Sequence, residues 1–98
     1  MLPQGINIKE RSWLAAIAAR KLGSRQVAMV LGKTIHLAGL SRQEFLADER
    51  WVKHELCHVK QFADHGFFMF LMKYLYESVR TGYHANKFEA EARAAEEQ

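Results

Sequence analysis

The sequence predicts an α+β fold: one amphipathic helix, a β-hairpin, then helices to the end. Three observations carry this. Residues 26–38, "QVAMVLGKTIHLA", are rich in β-branched residues and are split by Gly32-Lys33. Ser41 stands three before Glu44, the spacing of a capping box that starts a helix. Beyond it, apolar residues recur at helical spacing up to Gly66, a natural helix stop.

The elements follow in order. Residues 1–9 read as a loose arm. Residues 10–22 form a first helix, with Trp13, Leu14, Ile17 and Leu22 as its expected buried stripe, ended by Gly23 and Ser24. The hairpin spans Gln26–Leu31 and Thr34–Ala38, and Gly39 closes it. A short helix or turn comes next, then a long helix over about 48–65, whose expected core stripe is Val52, Leu56, Val59 and Ala63. A further helix covers 67–80, "TGYHAN" is a loop, and strong helix formers from about Lys87 make the last helix. No repeat or low-complexity linker divides residues 1–98, so a single domain is expected.

Bulk properties exclude some functions. Lys and Arg number 14 against 11 Asp and Glu, and the excess is spread along the chain. That is no basis for a nucleic-acid partner. Cys57 stands alone, so no internal disulfide is expected and a reducing, cytoplasmic location fits. The N-terminal stretch does not read as a signal peptide, because Arg20 and Lys21 break its apolar run and no cationic region precedes it. No stretch approaches the ~20 apolar residues of a membrane span.

The chemistry concentrates in "WVKHELCHVKQFADHG", residues 51–66. On a helix, His54 and His58 lie one turn apart on one face and can converge on one tetrahedral cation. Glu55 is rotated by about 100° and borders that face, where it can take the proton of an attacking water. This H-E-x-x-H pattern is a metalloprotease signature. Cys57 falls on the side of Lys53, Lys60 and Asp64, away from the histidines.

Two histidines do not complete a catalytic zinc site, which takes three protein ligands. The downstream candidates are His65, His84, Glu89 and Glu91, of which His65 lies about 10 Å along the axis and cannot share the ion. Glu89 and Glu91 sit about 200° apart on the last helix, so only one can face the cation. A helix–turn–helix return brings that helix back beside the histidines, giving a His, His, Glu set.

The order of hairpin, "HELCH" helix, intervening helix and "NKFEAEA" helix resembles the gluzincin metallopeptidases, over roughly residues 26–97. The resemblance is greatest to small bacterial single-domain members. It implies a small zincin-like domain and a zinc-dependent peptidase, of endopeptidase type, with Glu55 as general base. It implies His54, His58 and Glu89 as ligands, because the family's third ligand often sits in a Glu-x-x-Ala pattern; Glu89–Ala92 matches, and so does Glu91–Ala94. Many family members carry an aspartate four residues after that ligand, where this chain has Arg93. Glu91, Asp64 or a backbone carbonyl would then have to orient a histidine. Tyr83 and His84 are the candidates to stabilise an oxyanion. A peptide or protein substrate is expected on an edge strand at Thr34–Ala38, with His36 as a cleft-lining candidate. Two alternatives are a non-catalytic metal- or peptide-binding module on the zincin fold, and a metal-free dimerising domain.

The helix at 67–80 opens with "FFMFLM". Either the other elements wrap it, or its outer face meets a partner subunit, a pro-segment or a membrane surface.

Overall fold

The computed structural model describes residues 2–98. They form five helices and one three-stranded sheet: β1 (Asn7–Lys9), α1 (Trp13–Leu22), β2 (Val27–Leu31), β3 (Thr34–Ala38), α2 (Arg42–Ala47), α3 (Glu49–His65), α4 (Phe67–Thr81) and α5 (Lys87–Ala95). The α+β class and the order of the predicted elements stand.

The arm expected at 1–9 is partly a strand; Met1 lies outside the described residues. β1 runs parallel to β3, pairing Asn7 with Thr34 and Lys9 with His36. The sheet order is therefore β1-β3-β2. This corrects a second expectation, because Thr34–Ala38 is the central strand and the edge beside α3 is β2. Three residues are too few to carry a readable alternation, so β1 leaves no periodic signal.

Alternation divides the sheet cleanly. Ile35 and Leu37 of β3, with Val30 of β2, face a core completed by Leu40, Phe45, Val52, Phe62, Phe70 and Phe88. Val27 and Ala38 face the other way and meet Ala15 and Ala19 of α1. The expected α1 stripe is thus wrong: Trp13, Ile17 and Leu22 are exposed and Leu14 is only partly covered. Alanines let the helix approach the sheet closely, and larger side chains on that face would hold it off. Ser12 caps α1, accepting from the Ala15 amide, and its Oγ lies 2.8 Å from His36 Nδ1. His36 therefore lies on the α1 side of the sheet, away from α3.

The turns behave as their chemistry demands. The capping box of Ser41 and Glu44 is formed at the start of α2. Asp48 ends α2 and caps α3 through the Trp51 amide. At Gly39, φ is +80° and an added Cβ would stand 1.9 Å from the Arg25 carbonyl oxygen, so only glycine fits.

α3 buries Val52, Glu55, His58, Gln61 and Phe62, while Ala63 is exposed and Leu56 and Val59 are half-covered. The polar motif side is thus the inward side, because α5 packs along it. Of the apolar stripe assigned to 52–63, Val52 is in the core, Leu56 and Val59 pack against it partly covered, and only Ala63 falls outside.

Candidate functional site

α3 supplies His54, Glu55 and His58 from two successive turns, and α5 supplies Glu89. The position of α5 is set by Asn86, which is fully buried and caps the helix through the Phe88 amide. Its side-chain Nδ2 also donates to the Tyr74 carbonyl and to Ser78 Oγ at 3.1 and 2.9 Å, pinning the loop to α4. With its start fixed there, α5 points Glu89 inward and leaves Glu91 exposed.

Ligand atoms of His54, His58 and Glu89 all lie within 4.8 Å of one another. His54 Nε2 is 3.0 Å from one Glu89 oxygen, and His58 Nε2 is 3.2 Å from the other. Both imidazoles present Nε2 to the same small volume, because each Nδ1 is held elsewhere. His54 Nδ1 lies 2.7 Å from Glu96 Oε2. His58 Nδ1 lies 2.8 Å from Gln61 Oε1, and Gln61 Nε2 donates to the Phe88 carbonyl and to Glu91. Those two acceptors fix the amide so that its oxygen faces His58. His58 Nδ1 then carries a proton, and Nε2, which faces Glu89 here, is the nitrogen that a cation would take as an electron-pair donor.

Tyr74 of α4 donates from its hydroxyl to Glu89 Oε2. Its ring meets His58 edge-on, 6.1 Å between centroids. The donor set, two imidazole nitrogens and one carboxylate oxygen with outer partners on both Nδ1 atoms, could hold a divalent cation.

The electrostatics are those of a tight cluster. Burial works against a charged His54, but its hydrogen bonds and charge interactions with Glu89 and Glu96 raise its pKa overall. His58 is raised likewise, burial again being outweighed, here by Glu89, Glu55 and Gln61. Glu89 is held well below the usual carboxylate range: burial pushes it up, but the hydrogen bonds from His54 and His58 prevail. Glu55 goes the other way. Burial pushes its carboxyl up to about 8, with the nearby Glu89 charge adding to the effect and His58 opposing it.

A cleft of about 380 Å³ opens beside this cluster, between α3 and the β2 edge. His54, Glu55, Trp51, Val27, Ala28 and Tyr83 are among its lining residues. Tyr83 thus stands at the cleft, and burial followed by the Glu89 and Glu55 charges pushes its phenol up to about 12. His84 is exposed, does not line that cleft, and offers its backbone carbonyl to Arg93.

The structure thus brings together His54, His58, Glu89, Glu55 and Tyr83. It separates Glu91, Asp64, His65 and His84 from the cluster, with Glu91 reaching it only through Gln61. Four residues were not anticipated: Gln61, Tyr74, Asn86 and Glu96. For Glu96 a signal existed, since it lies two turns after Glu89 on the same helix side. Searches against protein-family models, curated proteins and solved structures find no match to this chain.

Proposed function

We propose that this chain is a small zincin-like, zinc-dependent endopeptidase of the gluzincin type. One observation carries the reading: two Nε2 atoms and one buried carboxylate converge within 4.8 Å, with both Nδ1 atoms fixed by outer partners. A bare surface pair of histidines has no need of such support.

His54, His58 and Glu89 would hold the cation, which when bound would supply a Lewis acid for a scissile carbonyl and acidify an attacking water. Imidazole and carboxylate suit several divalent metals, and zinc is inferred from the ligand types, two imidazoles and one carboxylate. Glu55 borders the same volume and lines the cleft. It takes the proton of the attacking water and returns it to the leaving amine, as a carboxylate beside the cation, whose charge would favour its ionised form, can do. Tyr74 stays protonated and steadies Glu89. Tyr83 stays protonated too, so its hydroxyl can donate to a developing oxyanion.

The substrate would be a peptide or unfolded protein segment in extended form. β2 is a sheet edge, and Val27 and Ala28 line the cleft, so a peptide strand laid along β2 passes His54 and Glu55. A single half-buried Cys57 suits a reducing location such as the cytoplasm.

The experiment is metal analysis and hydrolysis of a peptide library by wild type, Glu55→Gln and Glu89→Ala. Wild type should hold one zinc per chain and cleave. Glu55→Gln should keep the zinc and lose about 10²–10⁴ of its rate. Glu89→Ala should lose both. Zinc without wild-type turnover would instead establish a non-catalytic binding module, and no zinc at all would end the reading.

A further inference from the structure

α4 has two unlike faces. Its inner face, Phe70, Tyr74 and Glu77, is covered by the fold. Its outer face carries Phe68, Met69, Met72, Leu75, Tyr76 and Val79, each more than half exposed, with Val79 at 89%. The other elements therefore do not wrap this helix, which was one of the two expectations for it.

We infer that this outer face is where a second copy of the chain docks, with α4 of each copy packed antiparallel across a two-fold axis. The spacing is the first argument. Phe68, Met72, Leu75 and Val79 recur at intervals of four, three and four, which is the seam of a paired helix. The seam is self-complementary. A two-fold axis passing between Met72 and Leu75 sets Phe68 against Val79 of the partner subunit, the bulkiest side chain against the smallest. Met72 then meets Leu75 of the partner subunit.

The stripe also widens on one flank only, at Met69 and Tyr76. Like flanks meet in an antiparallel pair, so Met69 lies beside Tyr76 of the partner subunit. A parallel pair would set both against the opposite flank, where Leu71 leans into the core and Ser78 is polar. Antiparallel helix dipoles add a small favourable contribution.

The area is the second argument. Six apolar side chains, each more than half exposed, make a patch on the order of several hundred Å² per chain, larger than scattered surface hydrophobics and of the size that a weak dimer contact covers. Charge argues against a lipid surface as occupant. A helix lying on a membrane has a cationic polar face. Here the stretch 68–76 holds one charge, Lys73, and Arg80 at its end leans on Glu77 at 3.5 Å.

The test is sedimentation of the full chain from about 1 to 100 µM, a range over which mass action populates a weak dimer. Wild type should approach twice the chain mass. Leu75→Glu should stay at one chain mass throughout while keeping the helical circular dichroism and metal content of wild type, which separates lost pairing from lost folding. For orientation, Phe68→Cys and Val79→Cys chains, both in a Cys57→Ser background, are mixed and oxidised. The mixed disulfide should dominate over the Phe68→Cys homodimer. A wild type that remains at one chain mass at 100 µM overturns the proposal. So does a dimer that Leu75→Glu leaves intact, and so does a one-chain species that floats with phosphatidylcholine–phosphatidylserine vesicles.

Discussion

The two faces of the sheet are built from different materials. The face toward α3 rests on Ile35, Leu37 and Phe45, each with no exposure, and on three further phenylalanines. The face toward α1 is closed by Ala15, Ala19, Val27 and Ala38. Large apolar residues are not missing from α1, but Trp13, Ile17 and Leu22 point away from the sheet. The thick side supports the histidine helix; the thin side is a close-fitting cover. Hydrophobicity alone therefore misjudges which residues matter, because close approach by small side chains buries a face as completely as bulk does.

The contrast can be broken from either side. The largest effect belongs to the thick face: Phe45→Ala should cost about 3–5 kcal/mol in urea unfolding, through lost burial and a cavity. Gly39→Ala should come next, at about 2–3 kcal/mol, since its new methyl collides with the Arg25 carbonyl at a positive φ. Glu96→Gln should leave the unfolding of the chelated protein little changed, yet weaken zinc binding in a competition titration by about 10–100-fold. Ser12→Ala removes the α1 cap and the partner of His36, and should cost about 0.5–2 kcal/mol. Trp13→Ser should be smallest, within about 0.5 kcal/mol despite the loss of an indole. A Trp13→Ser cost equal to that of Phe45→Ala would erase the distinction between the faces.

Local signals were readable in the sequence and assembled ones were not. The capping box, the Gly32-Lys33 turn and the four-residue histidine spacing depend on neighbours in the chain, and all three stand as expected. Glu89 could be anticipated because its distance from His58 matches one helix returning beside another. Glu89 over Glu91 is decided by the rotation of α5, which depends on Asn86 being buried against α4. The same holds for Gln61, Tyr74 and Glu96, whose partners lie 12 or more residues away apart from His58. The place of β3 within the sheet was hidden for another reason. It turns on three residues of β1, too short to announce themselves by alternation.

That short strand decides where the sheet can grow. β1 covers one flank of β3 with only Asn7, Ile8 and Lys9, and a rim so brief, ending in a lysine, is a poor template for another strand. The five-residue rim of β2 has no such guard. Under the proposed function, an extended substrate would thus be steered to the side where the histidines stand.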